Sequence, residues 1–534
     1  MKRSIAIILL VFMLMSFLTG CNEKASNGDF EIASAKELSP EKIGDYGTLK
    51  LPIDKKFTEI TIAVTSEHSH LNDTVVINEL RRRTGLNIQI TAFPRASFAE
   101  KAKVLMASQD TIPDFFNGFS NEEIFDFAQQ GAFEAVSDHL DKLPNFKEIF
   151  YDKPEEYGLS ANTIKNYLGA DGKLYHMPKY DTQRDVNHGL MYRKDIFDKH
   201  GIKMWSNEQE FLDVLRQLKK LYPSSTPFAS KTKAVIFRDF GYMKGLTGST
   251  QFLQYYNEDE KTWKLMSTDP KFKEVLDLLK TMYDEGLLDP EFLTATEPAW
   301  TNKMTQKDKA FVTWDFIGRM DQFKEQTLTT VPEYDLRYAP PINKRTLTLA
   351  KTSAGAAFKK SDKAFLAMQL SDYLISESGA RLMTMGIEGV TYEMGEDGFA
   401  EYLGFDEGVI PSGTLLEEKY GMFIERLYRR FDRRSYYYNF TEKEQEAQDM
   451  INNMEGGGYW PEDPAPILSV EEKEICAKYK TSLQKAAEEF ATKYVLGTET
   501  GDAAWNNWLN KAKSLGAEEI VKAYNDAQTR YDSL

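Results

Sequence analysis

Between Glu59 and Phe116 the chain alternates strand and helix patterns, and this narrows its possible folds more than any other feature. Glu59-Ile60-Thr61-Ile62-Ala63-Val64 alternates in polarity, as a strand with two different faces does. A helix is expected from Asn72 or Asp73 to Arg83, closed by Gly85. Leu86 to Ile90 reads as the next strand, Phe98 to Ser108 as a second helix, and Ile112 to Phe116 as a short apolar strand. Strand, helix, strand, helix, strand implies a parallel α/β sheet. Further on, Asn207 begins a capped helix with Glu210 three residues later. Phe211, Leu215 and Leu218 follow at helical spacing, as do Ile520, Tyr524, Ala527 and Tyr531 near the end. Helical patterns dominate after residue 415.

The first residues carry a separate signal. Lys2 and Arg3 precede an apolar run, Ile5 to Phe17, that is too short to span a ~30 Å hydrocarbon core comfortably. This is the pattern of a secretory signal peptide. The run ends in Leu18-Thr19-Gly20-Cys21, which looks like a bacterial lipobox with cleavage after Gly20 and lipid on Cys21. Residues 22–56 are polar and read as a tether. Only one other cysteine exists, Cys476, so neither a disulfide framework nor a cysteine-based metal site is expected. The formal charge of −16 grows two units more negative when Lys2 and Arg3 leave. Such acidity excludes nucleic acid as a partner, because phosphates need a basic surface. A chain of 534 residues exceeds what one core usually supports, so two or more lobes are expected. The 27 Tyr and 7 Trp serve packing first, yet also suit ligands with polar rims and apolar faces, as sugars have.

Several segments together resemble the family 1 extracellular solute-binding proteins, typified by maltose-binding protein, in the larger lipoprotein branch of Gram-positive bacteria. They are Asp171-Gly172-Lys173-Leu174-Tyr175-His176-Met177-Pro178, Gly189-Leu190-Met191-Tyr192-Arg193-Lys194-Asp195 and Gly286-Leu287-Leu288-Asp289-Pro290-Glu291. Lys309-Ala310-Phe311-Val312-Thr313-Trp314, Ser353 to Ala357 and Gly386 to Tyr392 continue the series in order. The resemblance implies a two-lobed, type II periplasmic-binding-protein (Venus flytrap) α/β fold with mostly parallel sheets and a helix-rich C-terminal part. It implies lobe 1 from 57–182 with about 316–375, and lobe 2 from 183–315 with about 376–534, after a signal peptide at 1–20 and a tether at 21–56. Its function would be to capture an oligosaccharide by closure of the lobes and deliver it to ABC transporter permease subunits. The protein would be a monomer held to the extracellular face of the cell membrane by its lipid, without cofactor or metal. The calcium loop of some relatives is replaced here by Pro223-Ser224-Ser225-Thr226-Pro227-Phe228, which lacks acidic ligands.

Candidate ligand contacts follow from position. Ser66, Glu67 and His68 come after the first strand, at the carboxyl end where open α/β sheets bind ligands. Asn117 and Phe119 follow the third strand. Trp314 and Asp315 end an apolar strand, the first suited to stacking and the second to accepting hydroxyls. Asp181, Arg184 and His188 fall near the first crossover, where Arg184 would suit an acidic ligand. Arg238, Asp239, Trp300, Glu388 and Tyr392 are further candidates, each weighed against packing or a solvated surface. Arg429, Arg430, Arg433 and Arg434 read as one solvated helix face. Competing functions are a peptide- or chelate-binding protein of the same fold, a surface glycoside hydrolase, and a purely structural lipoprotein. No nucleophile elbow, P-loop, dinucleotide fingerprint or HExxH motif is present.

Overall fold

The computed structural model describes residues 31–34, 36–39, 49–180, 185–248, 250–348, 350–396, 398–406, 411–435 and 441–534. The expected signal peptide, Cys21, Asp181 and Arg184 lie outside these residues.

The first sheet has the spatial order Asn87–Phe93, Glu59–Thr65, Phe115–Phe116, Thr352–Phe358, His176–Tyr180. Its first three strands are parallel, as the alternation requires. Successive side chains divide between two cores: Ile60, Ile62, Val64 and Phe115 enter one, while Ala63 and Phe116 enter the other. Helix Val75–Thr84 follows the first strand and ends at Gly85, whose φ of 70° is the left-handed cap glycine tolerates best. The distant strand Thr352–Phe358 then pairs antiparallel with both Phe115–Phe116 and His176–Tyr180.

The second main sheet joins Val312–Phe316, His188–Arg193 and Leu336–Tyr338, all antiparallel. Among the described residues, parallel pairing in this half is limited to Arg345–Leu347 with Gly458–Trp460 and to bridges from Phe228 to Leu288 and Val312. Helix Glu208–Leu221 is capped by the Asn207 side chain, which accepts from the Glu210 amide at 3.0 Å. The C-terminal helices Val470–Val495, Gly501–Ser514 and Ala517–Asp532 bury Cys476, Leu483, Trp508 and Ile520 in the same core as Phe211, Leu215 and Leu279.

The cores divide the chain differently from the expected segments. Residues 320–342 pack with the 186–315 strands, and 356–431 pack with the first sheet. The reason is covalent: Leu336–Tyr338 is a strand of the second sheet, so the chain returns to the first only at Thr352. Part of the expected tether is also packed. Ala33 and Leu38 are buried, the Ala33 amide donates to Arg82 O, and the Ile53 amide to Thr84 O. The stretch carrying Arg429 to Arg434 is not helical; Arg429 is fully buried, and Met177 O accepts from its Nη2.

Thr352–Phe358 approaches its neighbour closely at Gly355, where an added Cβ would lie 1.6 Å from Met177 O and 2.4 Å from the Arg429 guanidinium. Backbone cannot yield as a side-chain end does. Gly355→Ala is therefore expected to cost about 3 kcal/mol or more of stability, read as a lower midpoint in thermal unfolding. An unchanged midpoint would show that these two strands part freely.

Candidate functional site

Three loops that leave parallel strands converge on a cavity of about 500 Å³. Thr65 to His68 follow the first strand, Arg95 the second and Asn117 the third. Lys179, Ser353 and Ala354 close one side; Thr414 and Glu417 of helix Gly413–Tyr420, with Phe423 to Tyr428, close the other.

Arg426 is the most constrained of these groups. Its backbone takes φ 76°, uncommon for a residue with a side chain. Its Nε donates to Thr65 Oγ1 at 2.7 Å and its Nη1 to Asn117 O at 3.1 Å, with the guanidinium 3.9 Å from the Phe98 ring centroid. Arg95 pairs with Glu425, and its amide donates to Glu67 Oε1 at 3.1 Å. Burial raises the Glu417 carboxyl above its ordinary value, against a bond from Ser66 that lowers it, and Glu417 Oε1 has no partner among the described residues. Lys179 places its ammonium 3.8 Å from the Tyr428 ring centroid. Three cations and three carboxylates thus share one cavity with aromatic edges.

A second polar cluster stands on the other main sheet. Asp315, buried, accepts from Lys231 Nζ at 3.0 Å and from Arg319 Nε at 2.7 Å, and Arg319 also reaches Glu297 at 2.9 Å. Arg238 bonds Asp239 at 3.0 Å and lies over Tyr242, whose ring is 6.5 Å from that of Trp314. Burial pushes the Asp239 carboxyl up to about 7, with Arg238 opposing and Asp315 adding to the rise.

Of the residues singled out from sequence, Ser66, Glu67, His68 and Asn117 line the cavity. Asp315, Arg238 and Asp239 belong to the second cluster, and Trp314 beside them is buried in the core with Phe228 and Phe240 rather than emerging from its strand. His188 is exposed at the start of its strand, beside Asn187 and 6.0 Å from the Phe316 ring. Phe119 and Trp300 are core residues instead. Phe119 packs on Phe116 and Phe127, and Trp300 is buried with Nε1 donating to Thr313 Oγ1 at 2.8 Å. Tyr392 is buried with Met385 and Ala400, and Glu388 bridges to it, away from the cavity. Arg95, Lys179, Glu417, Arg426 and Tyr428 escaped the sequence reading. Arg95 was within reach, since it follows its strand as Ser66 does; nothing local marked the other four.

A cavity at the carboxyl ends of parallel strands, with two α/β bodies joined by crossing segments, is the architecture of two-lobed solute-binding proteins. The sequence agrees: residues 76–392 match the family model described as bacterial extracellular solute-binding protein, and the chain belongs to that family. These are binding proteins rather than enzymes. Among curated relatives, the melibiose/raffinose/stachyose-binding protein MelE of Bacillus subtilis is 24% identical over 330 residues, covering 58% of this chain and 62% of MelE. The polygalacturonan/rhamnogalacturonan-binding protein YtcQ of Bacillus subtilis is 21% identical over 486 residues, 84% of this chain and 87% of YtcQ. A crystal structure of an alginate-binding protein without calcium ion superposes with a TM-score of 0.63 at 22% identity, over 90% of this chain and 99% of that one.

Asp239 gives the second cluster a pH signature. Folded, it keeps its proton to about 7, whereas unfolded it releases it near 3.8, the ordinary aspartate value. Between those values the unfolded chain binds fewer protons, so stability falls as pH rises, then levels off. Asp239→Asn is expected to lack this loss, gaining several degrees in melting temperature over wild type at about pH 8 and roughly a third of that at about pH 5. An equal gain at both would show that Asp239 is ionised throughout.

Proposed function

We propose that this chain is a lipid-anchored, extracellular, monomeric solute-binding protein that takes an oligosaccharide between two lobes and passes it unaltered to the permease of an ABC importer. The first lobe comprises 57–180 with 352–435, and the second 186–348 with 441–534. The cavity at the strand ends carries this reading. Its fixed guanidinium, its ammonium and its carboxylates offer donors and acceptors side by side, and Phe423 and Tyr428 add apolar faces. A saccharide ring presents the complementary pattern of hydroxyl rim and apolar face. The sugars in the names of MelE, YtcQ and the alginate-binding protein support the same class of ligand.

Titration of intrinsic fluorescence with oligosaccharide and oligopeptide panels tests the reading. Saturable binding of an oligosaccharide that is recovered intact is expected. Arg426→Ala should weaken it at least about tenfold, the loss of one charge-assisted hydrogen bond. Peptide binding without saccharide binding, or a shortened saccharide, would overturn it. The anchor is tested separately by detergent phase partition. Cys21→Ala is expected to move the protein from the detergent to the aqueous phase, since acyl chains supply the membrane affinity.

A further inference from the structure

A second cavity, of about 410 Å³, lies between helix Glu377–Thr384 and the segment 430–434. Among the described residues its charged lining is Arg381, Arg430, Arg433 and Arg434 against Glu377 and Asp432, two positive charges in excess. The surplus is notable in a chain with 82 acidic and 66 basic residues. Asp432 is engaged bidentately by Arg434, at 2.9 and 2.6 Å, and stands 3.8 Å from Arg381. Glu377, well exposed, comes only to 4.0 Å of Arg430, beyond hydrogen-bond reach. Arg430 is oriented instead by the rings of Tyr180 and Tyr157, at 5.6 and 5.8 Å. The neighbouring Arg429 is fully buried, and its Nε and Nη1 have no partner among the described residues.

Like charges gathered in a concave, partly desolvated site repel one another, and a bound anion relieves that repulsion. Planar guanidinium forks match the oxygen geometry of phosphate bidentately. We infer that this cavity binds a phosphate-class oxyanion, independently of any ligand between the lobes. The group is supplied either as free inorganic phosphate or as the headgroup of an anionic lipid.

The full chain is titrated with inorganic phosphate by calorimetry at low ionic strength. In parallel it is sedimented with phosphatidylglycerol-containing vesicles and with phosphatidylcholine vesicles. The difference between the two lipids is the readout, because an acyl anchor contributes to both. Saturable phosphate binding identifies the free ion as the source; a preference for phosphatidylglycerol alone identifies the headgroup. In either arm the double variant Arg430→Gln/Arg433→Gln should reduce the effect at least tenfold while saccharide binding is retained. Arg434 is left intact because it holds Asp432. If the double variant fails to fold, the exposed Arg433→Gln alone is expected to weaken binding about threefold. Equal behaviour of wild type and the folded variant in both arms, or no binding in either arm, overturns the inference.

Discussion

The structure depends on one insertion: strand Thr352–Phe358 lies between Phe115–Phe116 and His176–Tyr180. Everything from residue 186 to 348 must leave the first sheet and return to its interior, because Thr352 pairs directly with Tyr180. Two adjacent strand ends thus anchor the 186–348 part of the second body. The junction is tight. The Gly355 amide donates to Nδ1 of His176, whose Nε2 faces Asn121 Oδ1 at 2.8 Å. Burial, helped by the Arg429 charge, holds the His176 pKa down at about 3, so the ring stays neutral and serves as acceptor on one side and donor on the other. A charged imidazole would leave the Gly355 amide facing a second donor. The insertion is therefore maintained by a polar arrangement as well as by Ala356, Ala357 and Phe358 in the two cores.

The parts of this fold that are local in sequence were legible there. The Glu59–Thr65 strand, the glycine-capped helix after it, the Asn207 cap and the buried stripe of the last helix all follow from periodicity and capping, which involve neighbours a few residues apart. Two lobes were expected, but the points where the chain crosses between them were not legible, because Leu336–Tyr338 and Thr352–Phe358 both read as strands yet join different sheets. Only the partner strand decides between them. The site shows the same limit. Ser66 and Asn117 lie where strand ends reach the cavity, whereas Phe119, two residues beyond Asn117, turns into the core. Arg426 reaches Thr65 across 361 positions. No local pattern announces such a contact, and its neighbour Arg429, read as solvated, is fully buried.

Burial of Arg429 is costly, since a guanidinium removed from water with two nitrogens unpartnered forfeits solvation that one carbonyl bond does not restore. Burial accordingly lowers its pKa to about 9. The cost falls on the segment that also supplies Arg426 and Tyr428 to one cavity and Arg430 to the other. A segment holding an imperfectly solvated charge is held by its surroundings, not by its own preference. Here those surroundings are Phe423, Leu427 and Phe431, buried in the first core.

The placement of the first cavity also constrains how closure is driven. Its lining comes entirely from segments that pack with the first sheet. Contacts made to that lining alone are equal whether the second lobe is near or far, and equal contacts shift no conformational equilibrium. The free energy that favours a closed form must come from groups a solute meets only when the lobes approach. On the proposed reading, the cluster of Lys231, Arg238, Asp239 and Arg319 in the second body is the candidate for that part. Its charges are already paired with one another, so a solute gains there only where it replaces water without breaking those pairs. Moving an equilibrium from mostly open to mostly closed takes about 5.5 kcal/mol of differential affinity. On the proposed reading, a solute that bridges both bodies would need that sum from the contacts it makes to the second body.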